Sequence, residues 1–237
     1  MKGGEFQSSR LLIISNNMTK DIKSTRQLLP SLHGRGLGWV FCFLTLTLCS
    51  CSENEEYDPY YDWEIRNIAW FEIVADSART AINAAREQYG DAWEEHTEWR
   101  MYKSLMKSPS FQSWKTEDSI CVRIVKEGTG DKRPIYTDVV KVAYRGWLIP
   151  AWDANGNVFE KVFDQTFYGT FDEKTAAYAE NMVSVFTEGF ATALQYMNEG
   201  AEWIVYIPSE LFYGADEQGS VPAYSAARFR IMLMKID

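Results

Sequence analysis

The sequence predicts an α+β protein in which an antiparallel β-sheet wraps on a short helix, preceded by an N-terminal α-helical hairpin. After about residue 118, apolar and polar residues alternate in several short segments, which is typical of half-buried strands. One helical pattern lies among these segments. Before residue 108, apolar residues instead recur at steps of three and four, as on an amphipathic helix. Several strands with one short helix among them favour an antiparallel sheet packed on that helix.

The N-terminal region has the pattern of an export signal. Residues 36–50 carry no charge and follow three basic residues, Lys23, Arg26 and Arg35. This apolar run suits a signal peptide, whereas a membrane span takes roughly 20 residues. We therefore interpret residues 1–50 as a signal peptide region.

The apolar run ends in Leu48-Cys49-Ser50-Cys51, which resembles a bacterial lipobox. The resemblance implies cleavage before Cys51 and lipidation of that cysteine, which would anchor the chain in the outer membrane, facing the periplasm or the cell surface. Residues 51–61 would then form a tether. Its first acidic residues resemble the surface-export signal of Bacteroidetes lipoproteins, although a short acidic linker is also common. The alternative is an ordinary signal peptide with an incidental cysteine.

Residues 62–108 predict a helical arm made of two helices. The first can begin at Asp62, carries one apolar stripe and ends at Gly90. A capping box at Asp91 then indicates a second helix, which ends before Pro109. An apolar stripe shows that one face is buried but not against what. A homodimer or other partner and the chain's own C-terminal domain both remain open.

The C-terminal domain is predicted to span residues 118–237. Alternating patterns indicate strands at residues 120–125, 139–144, 202–207 and 228–236, and a helical pattern lies at residues 189–198. These are the strands and the helix from which the sheet and its covering helix are expected to form.

Composition excludes several classes of function. The formal net charge of −9 argues against nucleic-acid binding, because an acidic surface repels phosphate. Of four cysteines, only Cys121 lies beyond the N-terminal region, so a disulfide framework or a cysteine zinc site is not expected in the body of the chain. Cys121 is interpreted as a small core residue on a strand. With two histidines in the chain, no metal site and no cofactor are expected.

Five sequence blocks occur in order over residues 120–237. They are Val122-x-Ile124 with Gly128-x-Gly130, Pro134, Asp138-x-Val140-x-Val142-x-Tyr144-x-Gly146; Val162-Phe163-Asp164-Gln165-Thr166; Phe186-Thr187-Glu188-Gly189-Phe190 with Ala193-Leu194, Met197 and Gly200; Ile207-Pro208 with Leu211 and Tyr213-Gly214; and Val221-Pro222 with Phe229, Ile231, Leu233 and Ile236. Each block alone is weak. Together they resemble the FKBP family of peptidyl-prolyl cis-trans isomerases, which implies an FKBP-like fold.

The resemblance also implies a role for each site residue. The residues implied in catalysis are Asp164, Tyr213 and Tyr144, and those implied in substrate binding are Phe163, Phe186, Thr187 (through its backbone N–H), Phe190, Val221 and Phe229. The alternative for the phenylalanines is that they simply fill a core, since aromatic residues dominate cores. Asp164 favours the functional interpretation, because an acid among aromatic residues is costly to bury without a partner.

Prolyl isomerisation suits these residue types. Rotation about an amide must overcome roughly 18–20 kcal/mol of resonance, and an Xaa-Pro bond takes roughly tens to hundreds of seconds unaided. No covalent bond breaks, so neither a nucleophile nor a metal is needed. A water-poor aromatic pocket with hydrogen-bond donors for the carbonyl favours the twisted amide over the planar one.

The sequence leaves three functions open. The first is a lipid-anchored isomerase that acts on proline-containing polypeptides and assists the folding of exported proteins. The second is a non-catalytic binding module for a proline-containing partner in a surface complex, favoured by departures from the family: Phe190 stands where the usual pocket floor is tryptophan, and residues 149–157 lengthen a hairpin. The third is a purely structural lipoprotein that relies on the helical arm.

Overall fold

The computed structural model describes residues 57–108, 110 and 112–237, and these residues belong to one compact unit. The helices are α1 (Trp63–Tyr89) and α2 (Glu188–Tyr196). The strands are β1 (Trp99–Lys103), β2 (Ser119–Lys126), β3 (Val139–Leu148), β4 (Ala151–Trp152), β5 (Val158–Phe159), β6 (Val162–Gln165), β7 (Ala179–Met182), β8 (Glu202–Ile207) and β9 (Ala227–Ile236). Short 3₁₀ helices lie at Gly90–His96, Thr116–Asp118, Val183–Val185 and Ser209–Leu211. The predicted signal region and Cys51 lie outside the described residues.

The main sheet is antiparallel throughout. Its strand order is β1-β2-β8-β9-β3-β6, and β7 also pairs with β3, while β4 and β5 form a separate hairpin. At the centre, Gly146 of β3 lies between Phe229 of β9 on one side and Asp164 of β6 on the other. This register brings three blocks that are distant in sequence to one point of the sheet. The predicted α+β class is confirmed.

The inner face of the sheet packs on α2. Because side chains alternate along a strand, every second residue of β2, β8 and β9 enters this core. The strand residues include Ile120, Val122, Val205, Ile207, Ile231 and Leu233, and the helix residues include Phe190, Leu194 and Met197. Gly189 permits the close approach, because a Cβ there would lie 2.4 Å from Cγ2 of Ile207. The helix therefore begins directly on the sheet.

Helix α1 covers the outer face of the same sheet. Phe71, Ala75 and Ala78 of the helix pack on Cys121 of β2, with Tyr206 of β8 beside them. The sequence left open whether the apolar stripe packs on a partner or on the chain's own C-terminal domain. The buried face of α1 packs on the C-terminal domain. Cys121 is a buried core residue as predicted, and burial raises the pKa of its thiol to about 12. The result is a three-layer arrangement of helix, sheet and helix.

The predicted second helix of the arm is wrong. Residues Gly90–His96 form a 3₁₀ helix and Trp99–Lys103 form strand β1, which pairs with β2. Alternation explains the strand: Trp99 and Met101 face the α1 side, whereas Tyr102 packs against the inner core. The backbone N–H and C=O groups of β1 form hydrogen bonds with β2, which lies farther along the chain. The spacing of apolar residues within the segment could not reveal this partner.

Arg100 closes the turn that leads into β1. Its guanidinium is buried and donates to the backbone carbonyls of Glu94, Thr97 and Trp99. These bonds pair one carbonyl of the 3₁₀ segment, that of Glu94, and two carbonyls of the chain that leads into and begins β1. No helix in the described residues is both long enough and apolar enough to cross a lipid bilayer.

Candidate active site

A tyrosine and an aspartate meet on neighbouring strands at the end of the sheet. The hydroxyl of Tyr144 on β3 donates a hydrogen bond of 2.7 Å to Oδ2 of Asp164 on β6. Asp164 is exposed, whereas the sequence interpretation placed it among buried rings. The desolvation cost of the Asp164 carboxylate is therefore small. Its side-chain partner is the Tyr144 hydroxyl rather than a cation. The carboxylate is held in place while remaining open to solvent.

An aromatic cluster lies beside this pair. Phe229 is its centre, with ring centroids 5.1 Å from Phe190 and 5.4 Å from Phe163, both at nearly perpendicular angles. Tyr144 meets Phe190 edge to face at 5.5 Å. Edge-to-face pairs are the favoured arrangement of aromatic rings, so the cluster forms a defined apolar wall. Four of the residues implied by the resemblance are thus in contact.

Gly146 makes this ring packing geometrically possible. A Cβ at that position would lie 2.6 Å from Cε1 of Phe229 and 2.7 Å from Cζ of Phe163. Carbon atoms in contact normally lie roughly 3.5–4.0 Å apart, so any side chain at this position would displace the rings. The glycine between β6 and β9 is therefore part of the site's geometry.

The start of α2 supplies two further site residues. The ring of Phe186 stacks on Phe190 at 4.7 Å, and Thr187 is the N-cap residue of the helix. In the described part of the chain, the backbone N–H of Thr187 has no hydrogen-bond acceptor. An unused backbone N–H at a helix N-terminus can donate a hydrogen bond to the carbonyl oxygen of a bound ligand.

Tyr213 lies within electrostatic reach of Asp164. Burial and then the Asp164 charge raise the pKa of the Tyr213 hydroxyl, and burial together with the hydrogen bond to Asp164 raises the pKa of Tyr144. Both phenols therefore stay protonated near neutral pH and remain donors. Tyr213 is 36% exposed, and its hydroxyl has no hydrogen-bond partner among the described residues.

Val221 is buried behind the aromatic wall. It belongs to an apolar cluster with Trp63 of α1, and Phe163 and Phe212 pack against the same cluster. The sequence interpretation missed Phe212, whose ring lies 5.6 Å from Phe163 and 4.1 Å from Tyr213. In the sequence, only its position directly before Tyr213 could have indicated that Phe212 belongs to the site. It also missed Trp63, whose role depends on contacts that only the tertiary structure creates.

The site has the groups for binding and orienting an amide. Among residues 57–108, 110 and 112–237, no three His, Cys, Asp or Glu side chains gather in a way that could hold a metal ion. Donors, one carboxylate and an apolar wall are what the arrangement offers.

Comparisons with known proteins agree with the blocks in the sequence. Residues 130–234 match the family model described as FKBP-type peptidyl-prolyl cis-trans isomerase. The FKBP-type peptidyl-prolyl cis-trans isomerase FkpA of Aeromonas hydrophila is 32% identical over 122 residues, which is 52% of this chain and 40% of that protein. The outer membrane protein MIP of Legionella longbeachae is 36% identical over 97 residues, which is 41% of this chain and 35% of that protein. The chain thus spans about half the length, or less, of these curated relatives.

Two solved structures are also similar. A peptidyl-prolyl cis-trans isomerase from Pseudomonas syringae pv. tomato is 22% identical with a TM-score of 0.41, over 70% of this chain and 95% of that one. FkpA from Escherichia coli is 20% identical with a TM-score of 0.41, over 75% of this chain and 68% of that one.

Proposed function

We propose that this chain catalyses the rotation of Xaa-Pro bonds in polypeptides, since residues 130–234 match the family model of FKBP-type peptidyl-prolyl cis-trans isomerases. The observation that carries the proposal is the group formed by Tyr144, Asp164 and Tyr213 beside the aromatic wall. An apolar surface for a prolyl ring and polar groups for its amide lie next to each other there.

The aromatic wall acts on the polarity of the amide. A planar amide is strongly polar across its C–N bond, and a twisted one is less so. The half-buried ring of Phe163, backed by the buried rings of Phe190 and Phe229, offers an apolar surface that favours the less polar twisted form. No bond is made or broken, so the whole effect is differential binding of the transition state.

The polar groups orient the twisting bond. Among residues 57–108, 110 and 112–237, the Tyr213 hydroxyl and the Thr187 backbone N–H have no acceptor, and we assign both donors to the substrate carbonyl. Asp164, fixed by the Tyr144 hydroxyl, supplies a negative charge beside the amide. A donor that is already oriented needs no reorganisation during rotation, which is why it stabilises the transition state.

A protease-coupled assay with a proline-containing tetrapeptide tests the proposal. We expect the chain to accelerate cis-to-trans conversion, and Tyr213→Phe to lower kcat/KM by about tenfold, the effect of about 1.4 kcal/mol. Tyr168→Phe is the matched control, since Tyr168 is 82% exposed. For Asp164→Ala the control is Asp131→Ala, which also removes one exposed acid. A chain that binds the peptide without accelerating it would be the non-catalytic binding module instead.

We also propose that the chain is a lipoprotein of the cell envelope that assists the folding of exported proteins. The support is the apolar run that ends at Cys51, together with the name of a relative, the outer membrane protein MIP. Incorporation of a fatty-acid label into the wild type but not into Cys51→Ser tests the anchor. Equal labelling of both would refute it. A homodimer through the arm stays a prediction, which sedimentation analysis of the mature chain would decide.

A further inference from the structure

Two side chains at the start of α1 reach across to the segment before β9. The indole Nε1 of Trp63 donates to Oγ of Ser225 at 2.8 Å, and Oδ1 of Asn67 accepts the backbone N–H of Ala226 at 2.7 Å. Both bonds are buried and join residues about 160 positions apart in the chain. Such contacts are specific, because a buried polar group without its partner is costly.

Asn67 is itself fixed in one orientation. Its Nδ2 donates to the carbonyl of Trp63 at 2.6 Å, and the residue is only 1% exposed. Ser225 likewise donates from Oγ to the carbonyl of Pro222 at 2.6 Å. Asn67 and Ser225 thus each make a second hydrogen bond. That bond orients Oδ1 of Asn67 toward Ala226 and Oγ of Ser225 toward Trp63. The two contacts form one network rather than two incidental bonds.

This network holds a segment whose backbone is strained. Tyr224 has φ of +59°, a left-handed conformation that costs a non-glycine residue roughly 1–2 kcal/mol. Its backbone N–H donates to the carbonyl of Gly214 at 2.7 Å, and Gly214 directly follows Tyr213. The left-handed turn at Tyr224 therefore lies between the α1 contacts on one side and the proposed catalytic tyrosine on the other.

Packing follows the same route as the hydrogen bonds. Trp63 lies in one apolar cluster with Val221 and Ala226, and Phe163 and Phe212 of the aromatic wall pack against it. Phe212 in turn contacts Tyr213. The N-terminal helix is thus connected through buried groups to Phe163 and Phe212, although its own residues lie outside the segment that matches the family model.

We infer that Trp63 and Asn67 are positioning residues of the proposed active site, which fix the segment from Val221 to Ala226 and, through Tyr224 and Gly214, the place of Tyr213. This inference rests on the proposed function. Neither residue touches the polar group itself, so their effect on activity passes through Tyr213. The helix is then a working part of the isomerase and not only a spacer.

A double-mutant cycle in the full chain tests the route. We expect Asn67→Ala to lower kcat/KM by about threefold to tenfold, the range for one lost hydrogen bond. In a Tyr213→Phe background the same change should cost less than about twofold, because the hydroxyl it positions is already absent. Equal factors in both backgrounds would overturn the inference, and so would no effect in either. Trp63→Phe, which keeps most of the ring but removes the donor, should behave in the same way.

Ile82→Ala is the control for a general loss of stability. Ile82 is buried on the same helix, more than four turns from Asn67, and contributes nothing to the network. Its truncation should lower the unfolding midpoint while kcat/KM changes by less than about twofold. If it reduces activity as much as Asn67→Ala does, the effect belongs to helix docking as a whole and the positioning role is refuted.

The inference remains testable if the wild type proves inactive. Burial and then the Asp164 charge raise the pKa of Tyr213, so a Tyr213 that moves out of its half-buried place beside Asp164 should titrate closer to an ordinary tyrosine. NMR titration of the Tyr213 ring carbon should show a lower pKa in Asn67→Ala than in the wild type. An unchanged pKa would refute the positioning role, whereas a wild type without activity refutes the proposed function alone.

Discussion

Replacing Gly146 with alanine should damage the site more than the fold. The added Cβ would lie 2.6 Å from Phe229 and 2.7 Å from Phe163, roughly 1 Å inside normal carbon contact. Both atoms belong to rings in the edge-to-face cluster, so relief requires the wall itself to move. Overpacking of this kind costs about 1–3 kcal/mol of unfolding free energy. A displacement of about 1 Å in a site can reduce turnover by about a hundredfold.

The measurement is a pair of curves for Gly146→Ala: kcat/KM in the protease-coupled assay and unfolding in urea. Gly90→Ala provides the matched control, since Gly90 ends α1 with φ of +56° and ψ of −127°, a conformation that costs alanine about 1–3 kcal/mol. Nothing lies within 4 Å of a Cβ at Gly90, so this variant should lose stability and keep its activity.

Three outcomes of the Gly146 experiment bear on the reasoning. Activity lowered by about tenfold or more in Gly146→Ala, with Gly90→Ala unchanged, supports the assignment of the ring cluster to the site. Wild-type kcat/KM in Gly146→Ala despite lowered stability would show that the rings only fill a core. Equal activity losses in both variants would attribute the effect to stability.

Further predictions concern single groups. Tyr144→Phe removes the hydrogen bond to Asp164 and should lower kcat/KM by about threefold to tenfold in the same assay; an unchanged value would remove Tyr144 from the mechanism. The Cys121 thiol, with a pKa raised to about 12 by burial, should not react with a disulfide reagent at pH 8 until the chain unfolds, and rapid labelling of the native protein would contradict its packing. Burial pushes the pKa of Asp118 up, but hydrogen bonds, above all from Lys107, bring it below its ordinary value of 3.8. Its stabilisation is therefore full above that ordinary value and is lost as the pH falls through the lowered one, so the difference in urea stability between wild type and Asp118→Asn should be largest at neutral pH and shrink in acid; a difference that does not change with pH would contradict this.

Alternation made much of the sheet predictable. In β2, Ile120 and Val122 face α2 while Cys121 faces α1, and a period of two is visible in the sequence itself. The same holds for β8 and β9. The stripe on α1 was equally visible, because burial of one helix face requires regular spacing. The surface that covers the stripe could not be predicted, because the spacing shows only that one face of α1 is buried.

The errors have a common physical cause. Strand β1 forms because β2 offers a free edge, and the helical spacing of Trp99, Tyr102 and Leu105 could not indicate that edge. The bonds from Asn67 and Trp63 join groups about 160 residues apart in the chain, so no local sequence pattern indicates them. The solvent exposure of Asp164 is likewise decided by where β6 ends beside β3. Local chemistry predicts elements, and long-range pairing decides their neighbours.

The position of β9 has a consequence for how the molecule is made. This strand follows all the others in the chain, yet it pairs with both β8 and β3 and joins the two halves of the sheet. A polypeptide that emerges N-terminus first therefore leaves the facing edges of β8 and β3 unpaired until residues 227–236 arrive. Closure of such distant contacts is slow, so these strand edges stay open to wrong pairing during synthesis.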